Sequence, residues 1–335
     1  MDQIDPVADH PHLRASPSLR EWGSLLLVAA LTTWVVYSPR SGNLKWEQVL
    51  HNTGHGPIFG FVAILLLIAA RTHRKFRHWS LGAQCICAIV AAASLGLAAE
   101  GLQFFTHRDP SWADATNDAV GAIAFVCSFA LYELTFLNAK HTRIKRTVLV
   151  VVVIAAAAFL LAPGFTAARA YVERNLAFPV VADFTNGTNS YFVEADDSDL
   201  ESVRLPSPLA LRPNERALEV RFGSAPHSGI ALLEPRKDWR GYRNLVLDIA
   251  NPSVEPLDLA LRVHDQWHRN KYVDRFNRIL TLEPSSRREI RIPLSDIERG
   301  PRYRLLDLSR VTGVILSGRP TSASERLYVQ RIWLE

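Results

Sequence analysis

The stretch RNLVLDIANPSVEPLDLALRVHD, residues 243–265, decides the fold of the C-terminal half of this chain. Apolar and polar residues alternate on both sides of a central segment that contains Asn, Ser and two Pro. Alternation with a period of two places apolar side chains on one face of a strand and polar side chains on the other. The stretch therefore predicts two strands, each with one buried face, joined by a turn.

The same alternation recurs through residues 178–335. It is found in RALEVRF, RREIRIP, TGVILSG and RLYVQRIWL, and Pro, Gly, Asn and Ser separate these segments. No helical pattern of comparable strength competes with them. Many short strands at such spacing indicate an antiparallel sandwich, and we expect one of the jelly-roll type.

The first half of the 335-residue chain has a different character. Five mainly apolar stretches are candidates to span a bilayer, which takes about 17 to 25 residues per helix. They are residues 22–37, 54–70, 81–105, 113–136 and 147–163. No small-residue cleavage site follows the first, which favours a retained helix over a signal peptide. We therefore expect a multi-domain chain, with an all-α transmembrane bundle of about five spans before the all-β antiparallel sandwich.

Basic residues are distributed unevenly among the loops between these stretches. The loops after the second and fourth stretches carry Arg71, Arg74, Lys75, Arg77, Lys140, Arg143, Lys145 and Arg146. The loops after the first and third carry Arg40, Lys45 and Arg108. Because cytoplasmic loops hold the excess of Lys and Arg, the N-terminus is expected inside and the sandwich outside a bacterial inner membrane.

Four segments follow from this orientation. They are a cytoplasmic tail (1–20), a transmembrane domain (21–164), a connector (165–177) and a periplasmic sandwich (178–335). The net charge of +5 does not indicate nucleic-acid binding, because the tightest basic clusters lie between apolar runs. The lipid bilayer is the expected partner of the first half. All three cysteines, Cys85, Cys87 and Cys127, fall in predicted spans, so the sandwich must fold without disulfides.

Polar residues collect where the third stretch ends and the fourth begins. Glu100 and Gln103 share a helix face, and Arg108, Ser111, Asp114, Asn117 and Gly121 follow at helical spacing. Such a stripe must face protein or water, because lipid cannot satisfy it. A simpler interpretation is that Ser111 caps a helix and Gly121 lets two helices approach closely.

Two histidines open the second stretch on the same outer side. His51 and His55 are four residues apart, but Gly54 and Gly56 weaken the helix that a two-histidine metal site requires. We expect no metal and no other cofactor here. His55 instead joins the candidate membrane-surface pocket as a possible substrate contact or proton shuttle.

These residues carry a family resemblance. The pattern E-x2-Q, then R-x2-S-x2-D-x2-N-x3-G, preceded by H-x3-F at the start of another span, resembles the VanZ-like membrane proteins. Here the matching positions are His55, Phe59, Glu100, Gln103, Arg108, Ser111, Asp114, Asn117 and Gly121. The resemblance covers about residues 22–136 and implies a membrane protein of unsettled activity. The family often has Asp-Lys shortly before the His, whereas this chain has His51 and Asn52, so no role of that lysine carries over.

The C-terminal half resembles the galactose-binding-like sandwiches that include many carbohydrate-binding modules. The segments that carry this resemblance are residues 238–265, 274–297, 306–318 and 327–335. The resemblance implies a glycan as ligand. It also leaves a structural calcium open, although Gln330 stands where similar modules often have Asp.

Between two predicted strands lies HDQWHRNKYVDRFNR, residues 264–278, which is dense in aromatic and hydrogen-bonding side chains. Sugars stack on aromatic rings and pair their hydroxyls with polar groups. The candidate contacts are Asp265, Trp267, Tyr272, Asp274, Arg275 and Asn277. The alternative is that Trp267 belongs to the core and the charges form a solvated loop. Glycoside hydrolysis by Asp265 and Asp274 is less favoured, because carboxylates are common in loops.

The sequence thus predicts an integral inner-membrane VanZ-like protein whose periplasmic sandwich binds an envelope glycan or polysaccharide. The membrane-surface pocket would recognise a neighbouring head group. Two alternatives stay open. One is a membrane enzyme acting on a lipid-linked saccharide, with Asp114 or Glu100 as general base and Arg108 as phosphate clamp. The other is a non-catalytic scaffold for envelope assembly.

Overall fold

The computed structural model describes residues 19–37, 44–106, 110–136, 143–186, 190–225, 227–318 and 326–335. Contacts within the chain divide it into two compact units, residues 1–166 and 167–335. The first unit is helical and the second is built on β-sheets.

Five long helices precede the first strand. They are α1 (Leu19–Tyr37), α2 (Lys45–Thr72), α3 (Leu81–Gln103), α4 (Trp112–Phe136) and α5 (Arg143–Ala177), with a 3-10 turn at Phe104–Thr106. All five are long and apolar enough to cross a membrane. The predicted set of five apolar helices is therefore present.

Local sequence signals explain where the helices begin and end. Ser80 precedes α3, and its Oγ accepts a hydrogen bond from the Ala83 backbone N at 3.3 Å, which caps the helix. The helix α5 extends beyond the predicted span of residues 147–163 and includes the predicted connector. Residues 164–177 include four Ala, two Arg, one Leu and one Glu, which favour helix, so the helix continues after its apolar part ends.

Glycines allow α2 and α4 to pack at very short range. A Cβ atom built on Gly121 of α4 would lie 1.9 Å from the backbone oxygen of Gly56 in α2. One turn further along, a Cβ on Gly60 would lie 2.4 Å from the Phe125 ring. Only glycine fits such an approach of two backbones. The interpretation of Gly121 as a close-packing residue is supported by this geometry.

The second unit contains eleven strands among its described residues. They are β1 (Val180–Asp183), β2 (Val193–Asp196), β3 (Ser198–Arg204), β4 (Arg216–Phe222), β5 (Gly229–Leu233), β6 (Asn244–Asn251), β7 (Leu257–Asp265), β8 (Phe276–Leu282), β9 (Ser286–Pro293), β10 (Val311–Gly318) and β11 (Arg326–Leu334). A 3-10 turn, Tyr272–Asp274, precedes β8, and a short helix α6, Leu294–Glu298, follows β9.

These strands form two antiparallel sheets. One has the order β3-β4-β11-β6-β9, with β1 also paired to β11, and the other has the order β2-β5-β10-β7-β8. The main apolar core contains buried side chains from both sheets, among them Val220, Leu247, Leu261 and Val314. The two strands predicted within residues 243–265 are present as β6 and β7, and the other four quoted segments form β4, β9, β10 and β11, so the predicted antiparallel sandwich is confirmed.

The last turns of α5 pack against the sandwich within the second unit. The Tyr171 hydroxyl donates to Glu234 Oε2 at 2.6 Å, and Arg174 Nη1 donates to the Glu234 backbone oxygen at 2.6 Å. The Arg174 guanidinium also lies 4.7 Å and 4.8 Å from the ring centroids of Tyr171 and Phe192. The residues predicted as a connector are thus ordered against the sandwich.

We expect Gly121→Ala to lower the unfolding temperature of the full chain in detergent. The added methyl would force α4 away from the Gly56 backbone, and overpacking of this kind costs about 1 to 3 kcal/mol. Gly54→Ala is the matched control, since a Cβ there meets nothing within 4 Å and Ala favours helix. Equal unfolding temperatures for the two variants would contradict the close packing of α2 and α4.

Candidate functional site

The predicted cap at the start of α4 is present and is tied to α3. Ser111 Oγ accepts a hydrogen bond from the Asp114 backbone N at 3.2 Å. The backbone N of Ser111 donates to Glu100 Oε2 at 2.8 Å, and Gln103 Nε2 donates to Glu100 Oε1 at 3.2 Å. Glu100 is 3% exposed, so this carboxylate is held inside the helical unit.

The carboxylate of Asp118 lies behind this cap, in the interior. His55 Nδ1 on α2 is 3.2 Å from Asp118 Oδ1 on α4, and both side chains are buried. Asp118 was not among the predicted site residues. Its spacing of four from Asp114 was the available signal, because it puts both carboxylates on one face of α4.

The structure brings most of the predicted pocket together. His55, Glu100, Asp114 and Asp118 interact electrostatically, and we call these four residues the His/carboxylate cluster. Asn117 lies beside it, where Nδ2 donates to the Asn52 backbone oxygen at 3.1 Å. Arg108 lies outside the described residues, so its predicted role as a phosphate clamp stays a prediction.

In the sandwich, Asp265 and Asp274, two of the predicted sugar contacts, form ion pairs with a neighbouring loop. Both oxygens of Asp265 accept hydrogen bonds from Arg304, at 2.5 Å and 2.8 Å, and Asp265 is 1% exposed. Arg304 Nε also donates to Asp274 Oδ1 at 2.5 Å. These contacts join the loop after β7 to the loop before β10. We therefore leave Asp265 and Asp274 out of the candidate binding surface.

The outward side of β7 and β8 carries a polar surface, which we call the polar face. It consists of Arg262, His264, His268, Asn270, Arg275 and Asn277. Arg262 Nη2 lies 2.8 Å from His268 Nε2 and 3.3 Å from Asn270 Oδ1. Arg275 Nε donates to Asn277 Oδ1 at 2.9 Å. Sequence reasoning named Arg275 and Asn277 but missed the other four residues.

Strand register explains how these side chains reach one surface. Arg262 on β7 is paired with Asn277 on β8 and with Ile315 on β10. Along β7 the exposed and buried positions alternate, so His264 points outward like Arg262. The His264 ring lies across Gly313, where a Cβ would be 2.5 Å from its Cε1 atom. The glycine leaves room for the ring.

Several polar atoms of this surface are shielded from solvent and lack a partner. Arg262 Nε, His264 Nδ1 and His268 Nδ1 make no hydrogen bond to the described residues. Buried polar atoms in proteins are nearly always hydrogen-bonded, to protein or to something else. Arg262, His264 and His268 are half-buried, so only their exposed atoms, and not the shielded ones, are within reach of an external ligand.

Two exposed aromatic rings flank the polar face. Trp267 is 55% exposed and Tyr272 is 70% exposed, so neither belongs to the core. The guanidinium of Arg310 lies 5.6 Å from the Trp267 ring, and that of Arg275 lies 5.6 Å from the Tyr272 ring. Trp267 Nε1 also donates to Asp307 Oδ2 at 3.4 Å. These contacts orient both rings while leaving much of their surface open.

The polar face carries positive charge that is not neutralised by ion pairs. Burial, and then the nearby charge of Arg275, lower the pKa of the Arg262 guanidinium, which stays protonated. Among the described residues, no carboxylate lies within ion-pair distance of Arg262 or Arg275. Burial, and then the Arg262 charge, lower the pKa of His264 to about 4, so this ring is neutral at pH 7.

Gln330 bears on whether the sandwich holds a structural calcium, because it stands where similar modules often have Asp. It is fully buried in β11, and neither atom of its side-chain amide has a hydrogen-bond partner among the described residues. An amide oxygen can bind calcium, but further ligands are required. Calcium binding by the sandwich stays a prediction.

No protein-family profile matches the chain, and no curated protein is significantly similar to it. The VanZ-like resemblance of the first half therefore stays a prediction.

Solved structures that are similar to the chain include sugar-binding and sugar-cleaving proteins. An exo-β-agarase is 14% identical over 47% of this chain and 25% of its own length, with a TM-score of 0.39. A family 11 carbohydrate-binding module from Clostridium thermocellum, in complex with a β-1,3-1,4-mixed-linked tetrasaccharide, is 17% identical over 46% of this chain and 93% of its own length, with a TM-score of 0.35. The CBM22-1 xylan-binding domain from Paenibacillus barcinonensis is 13% identical over 46% and 94%, with a TM-score of 0.33. Similarity at this level carries no argument about the ligand.

We expect the His264 ring to make the stability of the sandwich depend on pH. Its pKa falls from 6.5 to about 4 on folding, so the unfolded chain binds more protons between these values. The stabilisation is complete above pH 6.5 and is lost as the pH falls towards about 4. In the full chain, the urea midpoint of sandwich unfolding should fall more steeply over this range in wild type than in His264→Asn. Parallel curves for the two proteins would contradict a neutral His264 in the folded state.

Proposed function

We propose that this chain is a multi-pass membrane protein whose sandwich binds an acidic polysaccharide outside the cytoplasm. The observation that carries the proposal is the pair Arg262 and Arg275, which have no carboxylate partner among the described residues. Arg275 lies over the exposed Tyr272 ring, and Arg262 contacts His268, the sequence neighbour of the exposed Trp267. Stacking on Trp267 and Tyr272 suits the apolar faces of sugar rings. The two guanidinium groups suit carboxylate, sulfate or phosphate substituents.

The first half of the chain supports the membrane part of this proposal. The helices α1 to α5 are each 19 residues or longer and meet the length and hydropathy of a membrane span. Their outward surfaces are apolar, with exposed side chains such as Leu26, Phe61, Ile86 and Ile154. A soluble helical unit rarely exposes so many large apolar groups, because each loses the benefit of burial.

Charge on the polar face is what favours an acidic polymer over a neutral one. A neutral sugar would hydrogen-bond to the exposed polar atoms but would leave both guanidinium charges without a counter-charge. An acidic sugar would supply both kinds of contact. Because surface charges are screened by salt, binding of an acidic polymer should weaken as the ionic strength rises.

We expect the full chain in detergent to bind acidic polysaccharides, such as polygalacturonate or alginate, more tightly than xylan or mixed-linked β-glucan. Trp267→Ala and Tyr272→Ala should each weaken binding by about tenfold, which corresponds to about 1.4 kcal/mol. Arg262→Met should weaken binding of the acidic polymers selectively. Affinity can be measured by calorimetry at low and at physiological salt.

Trp333→Ala is the matched control for the aromatic substitutions. Trp333 is partly exposed on β11, which belongs to the sheet that does not contain β7 and β8. Its removal should leave the affinity unchanged. Equal losses for Trp333→Ala and Trp267→Ala, or no binding of any tested polymer by folded protein, would refute the glycan part of the proposal.

Orientation in the membrane makes a separate prediction. With five spans and the basic loop of residues 73–80 inside, alkaline phosphatase fused after residue 335 should be active in cells. The same fusion within residues 73–80 should be inactive, and a fluorescent-protein fusion should show the reverse at both positions. An inactive phosphatase at the C-terminus would mean that the sandwich faces the cytoplasm.

A further inference from the structure

Three helices contribute potential metal ligands to one buried point. His55 comes from α2, Glu100 from α3 and Asp118 from α4, and one ligand atom of each lies within 4.8 Å of the others. The three residues are 3%, 3% and 0% exposed. Elsewhere in the described chain, no other group of three His, Cys, Asp or Glu residues meets this distance.

The hydrogen bonds at this point leave some of its oxygens without a partner. Asp118 Oδ1 faces His55 Nδ1, but Asp118 Oδ2 is shielded from solvent and has no hydrogen-bond partner among the described residues. Asp114, which is 8% exposed, also has a shielded oxygen, Oδ1, that no group in the described part of the chain contacts by a hydrogen bond. Such atoms in a native protein require an explanation, and an ion is one of the few available.

The excess of buried negative charge also favours a bound cation. Glu100, Asp114 and Asp118 bring three carboxylates into a buried region with one imidazole. None of the three forms an ion pair with a Lys or Arg of the described residues. Keeping a buried carboxylate ionised without a counter-charge costs several kcal/mol. A divalent cation would offset two of these charges.

We propose that His55, Glu100 and Asp118 bind one divalent transition-metal cation in the helical unit. Two ligands that each lie about 2.1 Å from an ion are about 3.0 to 3.5 Å apart. The distance of 3.2 Å between His55 Nδ1 and Asp118 Oδ1 falls in this range. A Glu100 oxygen already lies within 4.8 Å of both other ligand atoms, and the two Glu100 oxygens keep lone pairs beyond those used by Ser111 and Gln103.

The ligand set indicates which cations fit. Imidazole nitrogen favours zinc and similar metals, whereas carboxylate oxygen is also used by manganese and magnesium. One nitrogen and two carboxylates therefore suit Zn²⁺ or Mn²⁺ better than Mg²⁺ or Ca²⁺. Three protein ligands leave a coordination position open for water, and Asp114 lies near enough to interact with this group electrostatically.

Helix packing holds the ligands in place. A Cβ on Gly96 of α3 would lie 2.6 Å from Asp118 Oδ2, so α3 packs directly against this carboxylate. Gly96 and Glu100 are four residues apart, which puts them on the same face of α3. The contact of Gly121 with Gly56 brings α4 to α2 beside His55. The three ligands are thus set by backbone contacts and not by flexible loops.

The test is metal content of the full chain, purified in detergent through a tag without histidine. After loading with Zn²⁺ or Mn²⁺ and gel filtration, wild type should hold one ion per chain by mass spectrometry. Asp118→Asn and Glu100→Gln should lower the affinity on the order of 100-fold or more, because each removes a charged ligand. Glu133→Gln is the matched control on α4, where Glu133 pairs with Arg71 and not with the cluster.

Thermal unfolding with and without chelator is a second measurement. A merely structural role of these residues would not make the unfolding temperature depend on chelator. Chelator should lower the unfolding temperature of wild type and of Glu133→Gln. In chelator, Asp118→Asn should be at least as stable as wild type, since it removes one of the crowded charges. With metal present, wild type should be the more stable of the two.

Cobalt binding decides the question if a variant fails to fold. Folded wild type loaded with Co²⁺ should show chelator-sensitive visible absorption at one ion per chain. Folded wild type that holds far less than one ion per chain would overturn the proposal. Full retention of the ion in Asp118→Asn and Glu100→Gln would also overturn it, because the ion would then lie elsewhere.

Discussion

The close contact between Gly56 and Gly121 is the constraint on which the helical unit depends. A Cβ on Gly121 would be 1.9 Å from the Gly56 backbone oxygen, so α2 and α4 meet backbone to backbone. His55 is next to Gly56, and Asp118 is one helical turn before Gly121. The same contact that joins the helices therefore brings the imidazole to the carboxylate. The sandwich uses a similar device, because Gly313 makes room for the His264 ring on the polar face.

Much of the fold could be predicted from hydropathy and alternation. The five apolar helices and the strands with clear alternation, such as β4 and β7, were read directly from the sequence. The strands β2 and β3 were not, because β2 has only four residues and β3 has only two large apolar residues, Leu200 and Val203, among polar ones. The length of α5 was also underestimated, since only its apolar part carries the signal of a span.

The candidate sites were harder to predict, because they depend on which elements lie side by side. Asp265 and Asp274 have carboxylate groups of the kind that bind sugar hydroxyls, yet both form ion pairs with Arg304, which is distant in sequence. Asp118 was missed because its partner His55 lies 63 residues away. A metal was not expected, since its three ligands come from three helices and form no local motif. Arg262 and His264 were interpreted only as parts of an alternating strand, although β7 turns both towards the polar face.

The two proposed sites differ in the sign of the charge that the protein leaves without a counter-charge. In the helical unit the excess is negative, and its burial means that only a small cation with direct ligand bonds can offset it. On the sandwich the excess is positive and lies at a surface flanked by Trp267 and Tyr272, where a large polyanion has room to bind. Neutral His264 limits the repulsion on that surface, because a protonated ring beside Arg262 would add a further positive charge. Burial and the sign of the charge together thus favour a metal ion as the partner of the helical unit and a polysaccharide as the partner of the sandwich.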